Sequence, residues 1–360
     1  MAKESYIGID GKARKIKKWY FGVDSKARKV KKGYIGVGGV ARPFISGGDP
    51  TYYGTIDPLS KERKKFAGAS VGDYALFAGG VKSNVVDSYN STFTRSTATS
   101  LKTARYNLAG ASVGDYALFA GGHDYSSEQD AVDSYDSSLT KGTPTALSGK
   151  RTDLASASIG DYAIFAGGRK VPHLIDGVDA YTRTLTRIIA DDLSVSRGEA
   201  TGASVGDYAL FAGGWKYDTA STPYRTVDAY SSTLVKSTPS ELIAGVHKSA
   251  GASVGNYALF AGGINSYSAS TSTYNYTNYV NAYDSSLTRT TPTALSVKMS
   301  PITSASIGGY AIFAGSGVVN VYDSSLVRTI QSVSISGVGV SMNEYAIFAD
   351  STQSFVYILV

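Results

Sequence analysis

The stretch GDYALFAGG, Gly72–Gly80, returns almost unchanged at Gly114, Gly160 and Gly206, and in looser form at Gly255, Gly308 and Asn343. No other feature limits the fold as much. A catalytic loop is seldom repeated, whereas a structural unit that cannot bury itself alone must be. The tyrosine of this segment falls at Tyr74, Tyr116, Tyr162, Tyr208, Tyr257, Tyr310 and Tyr345, at spacings of 42, 46, 46, 49, 53 and 35. Two markers follow each copy. One is VDSYD at 132–136 and its variants, such as VDAY at 178–181 and VNVYD at 319–323. The other is SSLTRTTPTALS at 285–296 and its relatives.

Each unit reads as four short strands. Strand a, AGASVG, ends at a Gly-Asp or Gly-Asn tip, the mark of a two-residue hairpin. Strand b, YALFAGG, is apolar on both faces and should be buried on both. Strand c, VDSYD, alternates. Strand d, LTRTTPTAL, is polar and β-branched, which suits an exposed outer strand. Ala and Gly dominate a and b, and small side chains let sheets converge on an axis. Four strands at a period of about 40–50 residues describe an all-β propeller of seven blades. The last copy ends on a strand c, SFVYILV, with no strand d behind it. The missing strand is expected near 51–58, because TIDPLSKERKKFAGAS (55–70) aligns with TPTALSGKRTDLASAS (143–158). Pairing the two ends in one blade removes the open sheet edges.

Net charge divides the chain. Residues 1–65 hold 16 Lys/Arg against 6 Asp/Glu, and residues 66–360 hold 19 against 23. The basic part has its own 14-residue period: YIGIDGKARKIKKW (6–19), YFGVDSKARKVKKG (20–33) and YIGVGGVARPF (34–44). Each reads as strand, turn and basic strand. Three such hairpins hardly make a core, so they are expected to order on a larger body or as a homo-oligomer. The expected division is therefore a β-hairpin leader at 1–45, a linker at 46–50 and the propeller at 51–360. The candidate docking residues of the leader are Tyr6, Arg14, Lys15, Tyr20, Arg28, Lys29, Tyr34 and Arg42. Docking to an acidic protein surface fits best. A solvated tail and phosphate binding are the alternatives, and the lack of base-stacking aromatics in a groove-like pattern argues against nucleic acid.

The chain has no cysteine and three histidines, which excludes disulfides and zinc-thiolate sites and speaks against any metal or other cofactor. No signal-peptide core or run of about 18 apolar residues occurs, so membrane insertion is not expected. No GxSxG, HExxH or phosphate-loop motif is present, and an enzyme is not expected.

Recognition is expected on the b–c loops, which share one face of the disc with the d–a loops. They are brief at 81–86 and 316–319 and longer at 123–131, 169–177, 215–226 and 264–279. Their candidate ligand-binding residues are Trp215, Tyr217 and Tyr224; Tyr267, Tyr274, Tyr276 and Tyr279; His123 and Tyr125; and His173. Tyrosine among Ser and Asn gives rigid contact area with adaptable hydrogen bonds. Packing of these rings onto the disc is the plainer alternative for any one of them. The repeated Arg63, Arg105, Arg151 and Arg197 are expected as blade-to-blade hydrogen-bonding devices, and Asp87, Asp133, Asp179 and Asp228 as acceptors for turn amides.

Paired glycines behind an apolar strand, then a tyrosine on the next strand, resemble the kelch repeat. The resemblance spans 51–360 and recurs seven times, but the usual kelch tryptophan is missing. The repeats resemble those of kelch-like proteins of Firmicutes and their bacteriophages, and the leader resembles the YIGVDGKARKVKK repeats that open phage virion proteins. Kelch-like copper oxidases need a cysteine, and sialidase-type propellers carry S-x-D-x-G-x-T-W boxes; neither is found. The resemblance implies a structural protein of a phage or prophage virion, made in the bacterial cytoplasm. The leader would join other virion proteins in a tail or fibre appendage, and the b–c loops would meet a host-surface glycan or protein. A decoration or scaffold role without receptor binding, and a cellular kelch interaction module, are the alternatives.

Overall fold

In the computed structural model, residues 49–216, 223–268, 270–350 and 352–359 are described in full, and six leader strands by their backbone. The leader strands pair as three antiparallel hairpins: Tyr6–Ile9 with Lys12–Lys15, Tyr20–Val23 with Lys26–Lys29, and Tyr34–Val37 with Val40–Pro43. Their registers match, with Tyr6 opposite Lys15, Tyr20 opposite Lys29 and Tyr34 opposite Pro43. The 14-residue period is thus one hairpin per repeat.

The remainder is a seven-bladed β-propeller. Blade 1 has strands a to d at Ala67–Val71, Tyr74–Ala78, Val86–Asn90 and Arg95–Ala98, joined as an antiparallel meander. The other blades repeat it. In blade 7, strands Val338–Met342, Tyr345–Ala349 and Ser354–Leu359 are completed by Pro50–Ile56, with Ser354 opposite Ile56 and Leu359 opposite Pro50. Closure by the N-terminal strand is as the alignment indicates, one residue earlier than expected.

Strand d departs from expectation. It begins after the leucine and is far shorter than LTRTTPTAL. In blades 2, 4 and 5 it has two residues, Lys141–Gly142, Lys236–Ser237 and Arg289–Thr290. Each is followed two residues later by Pro144, Pro239 or Pro292, which offers no N–H to the ladder. Blades 1, 3 and 6 lack that proline, and their strand d has four residues. The leucine instead occupies the c–d turn with φ near +61 at Leu139 and +62 at Leu287. That conformation costs a side chain about 1–2 kcal/mol. Leu139 offsets it by packing, with Tyr74 of the blade before, against the core between blades 1 and 2.

The strands a line the axis, and their small residues are a requirement of contact distance. A Cβ on Gly110 would lie 2.3 Å from the Gly68 carbonyl of the previous blade. Two positions along, serines stitch neighbours together: Ser112 N–H donates to Ser158 Oγ (3.1 Å), and Ser112 Oγ donates to Ser70 O (2.7 Å).

Strand c ties each blade outward. Its tyrosine is fully buried in every blade and meets the strand-b phenylalanine edge-on, as in Tyr135–Phe119 at 6.0 Å. The phenol reaches back to the previous blade: Tyr135 donates to Thr99 O (2.6 Å) and Tyr181 to Thr145 O (2.8 Å). The repeated arginines and aspartates prove to be partners. Arg63 pairs with Asp87 (2.7 Å), Arg105 with Asp133 (2.7 Å), Arg151 with Asp179 (2.6 Å) and Arg197 with Asp228 (2.8 Å). Each arginine sits in the linker entering a blade and also donates to that blade's strand b, as Arg105 does to Phe119 O (3.0 Å). Blades 5 and 6 lose both charges together. Val246 and Met299 replace the arginine, and Asn281 and Asn320 replace the aspartate. The asparagines keep the amide contact, accepting from Ile243 N–H and Ser296 N–H at 2.9 Å.

Candidate functional site

The site begins with the Gly-Gly corner. Gly79 and Gly80 hold φ of +74 and +113. A Cβ on Gly79 would meet Arg105 O at 2.7 Å, and one on Gly80 would meet Lys64 O at 2.9 Å. The corner is wedged between the linker entering its blade and the linker leaving it, which is why it recurs. This packing sets the b–c loops and the d–a linkers side by side on one face.

Two positions then recur on this face over blades 2 to 5. The residue after Gly-Gly pairs with the entering linker: His123 with Tyr106, Arg169 with Thr152, Trp215 with Gly198, and Ile264 with His247. The next linker residue is left-handed, with φ between 51 and 55 at Asn107, Asp153, Glu199 and Lys248. Their amides link the blades: Asp153 N–H donates to Asn107 O (3.1 Å), Glu199 to Asp153 O (2.9 Å) and Lys248 to Glu199 O (3.2 Å). Across blades 2 to 5 a hydrogen-bonded backbone therefore presents one variable side chain per blade at each of the two positions.

Over blades 3 to 5 these positions open into a cleft of about 250 Å³, lined by Arg169, Leu174, Gly198, Glu199, Trp215, His247, Lys248, Tyr267 and Tyr274. The floor is open because blade 4 has Gly198 where blade 2 has Tyr106 and blade 5 has His247. One wall is the hairpin Ile264–Ser268 and Thr273–Tyr276. There Tyr267 and Tyr274 stand opposite each other with ring centroids 5.0 Å apart, and Tyr274 is 52% exposed. Trp215 lies in the adjoining blade. The polar rim is held by two ion pairs, Arg169 Nε to Asp153 (2.6 Å) and Lys248 Nζ to Glu199 (3.2 Å), and by the hydrogen bond between His247 Nδ1 and Glu199 (2.6 Å). Burial raises the Asp153 carboxyl above the ordinary aspartate value, and the Arg169 guanidinium only partly offsets it. Burial acts the same way on Glu199, but the His247 hydrogen bond and the Lys248 charge outweigh it, leaving its pKa below the ordinary value.

Of the ten candidates from the loops, Trp215, Tyr267 and Tyr274 converge here. Tyr224 lies under the Lys216 ammonium, 5.6 Å from its ring, and outside the cleft. Tyr276 and Tyr279 are 39% and 45% exposed beside it. His123 and Tyr125 gather around Tyr106 in blade 2, at 5.4 and 5.0 Å, as a separate patch. His173 is exposed in a small hairpin, where the next residue, Leu174, reaches the cleft instead. Tyr217 lies outside the described residues, and for the eight leader candidates only backbone pairing is described. Sequence reading missed Gly198, Glu199, His247 and Lys248. The variability of the two residues after each linker arginine, beside constant spacing, was the signal that could have found them.

The solved structure of YjhT is similar to this chain, with a TM-score of 0.62 and 11% identity, covering 77% of this chain and 99% of that one. At that identity the likeness concerns the fold alone. No family model and no curated protein matches the chain. What the fold and site define is a closed seven-bladed propeller with an aromatic, ion-paired cleft on its long-loop face.

Proposed function

We propose that this chain is a non-enzymatic virion protein of a bacteriophage or prophage, part of a tail or fibre appendage. Residues 1–45 dock to other virion proteins, and the long-loop face of the kelch-like propeller binds a receptor on the host surface. The recognition half rests on one observation: Trp215, Tyr267 and Tyr274 come from loops of different blades and meet in one cleft. Binding residues commonly lie on loops held by a rigid scaffold. The docking half rests on the basic hairpin repeat and the resemblance of its wording.

Two changes test the reading. Removing residues 1–45 should leave particles without the protein. Replacing 264–279 by the two-residue b–c connection of blade 6, Ser316-Gly317, should leave particles carrying the protein but unable to adsorb to cells. Unchanged adsorption would move the protein to the decoration reading, and normal incorporation without the leader would remove the docking role.

A further inference from the structure

We infer that the cleft over blades 3 to 5 is a subsite for one ring of a neutral saccharide. The inference rests on the receptor-binding reading and names the ligand class of that site. Size is the first argument. About 250 Å³ is below the roughly 300–1,000 Å³ of sites for drug-sized ligands, so the cleft takes a single ring. Its two surfaces are the second. The exposed Tyr267–Tyr274 pair offers flat apolar area, matching the C–H face of a pyranose, and Trp215 adds to the aromatic lining. The same cleft is lined by charged groups already held in place, with Glu199 bonded to His247 and Lys248, and Arg169 bonded to Asp153. A hydroxyl-rich ring exchanges hydrogen bonds with such groups. An apolar side chain of a protein partner would desolvate them without compensation, at a cost of about 1–3 kcal/mol per group.

Charge balance is the third argument and specifies a neutral sugar. Arg169 faces Asp153 and Lys248 faces Glu199, so among the described residues each of these two cations has a carboxylate beside it. An anionic saccharide would have to approach the Glu199 carboxylate, which lines the cleft. Fixed ion pairs act as oriented donors and acceptors without an excess field, and binding should then be nearly independent of salt.

Gly198 supplies a clean perturbation. Its backbone is not left-handed, and a Cβ there would make ordinary contacts, the nearest at 3.6 Å. The equivalent residue of blade 2 is Tyr106, so Gly198→Tyr fills the cleft floor with a side chain this scaffold already accepts. The experiment uses the full chain against an array of neutral hexose and N-acetylhexosamine oligosaccharides beside sulfated and carboxylated ones, followed by calorimetry at low and high salt. The expected result is binding to a neutral member, with an affinity that changes less than about twofold between the two salts. Gly198→Tyr and, on the exposed hairpin, Tyr274→Ala should each weaken it at least about tenfold without altering the thermal transition. Binding confined to anionic members, salt-sensitive binding, or binding untouched by both variants would overturn the inference. So would no binding by a chain whose hairpin replacement still abolishes adsorption, in which case the receptor reading survives without the sugar. Saccharide binding with adsorption unaffected by that replacement would support the subsite and remove its role in attachment.

Discussion

Exchanging the charged clasp of blade 4 for the uncharged one of blade 6 tests the inter-blade account. Arg197 and Asp228 are both fully buried and lie 2.8 Å apart. Arg197 also donates to Phe211 O (3.1 Å), and Asp228 accepts from Ser194 N–H (3.2 Å) and Ser194 Oγ (3.0 Å). Arg197→Met alone leaves Asp228 buried with the two Ser194 bonds and no counter-ion, a loss of about 3–5 kcal/mol. Adding Asp228→Asn removes the orphaned charge and reproduces Met299 with Asn320, a combination that blade 6 buries completely. Replacing a whole buried pair is often near neutral, so the double variant should stand within about 1–2 kcal/mol of the parent. With Asp228→Asn as the second single variant, the coupling between the two sites is then at least about 1 kcal/mol. Urea unfolding followed by near-ultraviolet circular dichroism measures it, with the slope unchanged across the set. A double variant no better than Arg197→Met, or a single variant within about 1 kcal/mol of the parent, refutes the reasoning.

Three further outcomes are expected. Burial pushes the strand-c phenols up, Tyr89 to about 12 and the other six also upward. A raised folded value means their stabilisation is complete below pH 10 and is lost as pH rises through the folded values. In an alkaline titration these seven should ionise only as the circular dichroism collapses; ionisation of all tyrosines before unfolding would contradict this. Gly121→Ala forces a side chain to φ +66 with its Cβ 2.7 Å from Arg151 O, and should cost at least about 2 kcal/mol in thermal unfolding. Glu199 has a folded pKa below the ordinary glutamate value, so its contribution is present above pH 4.5 and is lost as pH falls through the folded value. Glu199→Gln should therefore flatten the acid side of the stability profile, and an unchanged profile would count against the His247–Glu199–Lys248 contact.

The propeller was legible because its signals are local and recur. The GDYALFAGG copies define the blade, and the 55–70 alignment places the closing strand. Strand d was overread because a β-branched composition does not report the missing N–H of Pro144, Pro239 and Pro292; only pairing to strand c does. The arginine–aspartate clasp was visible as two separate conserved positions within the chain, not as a pair, because the partners lie 24 to 31 residues apart. The simultaneous change to Val246 with Asn281 and Met299 with Asn320 was the available clue. In the cleft, aromatic loop residues stood out by composition, so Trp215, Tyr267 and Tyr274 were found. Glu199, His247 and Lys248 sit on linkers of nearly constant length, which read as framework, and Gly198 contributes by having no side chain at all.

The measurement closest to the central claim is immunogold electron microscopy of particles from the source, with antibody raised against residues 66–360. Gold at tail tips or fibres is the result that the virion-appendage account predicts. Gold spread over the head would leave a decoration protein, and particles free of gold would contradict the account.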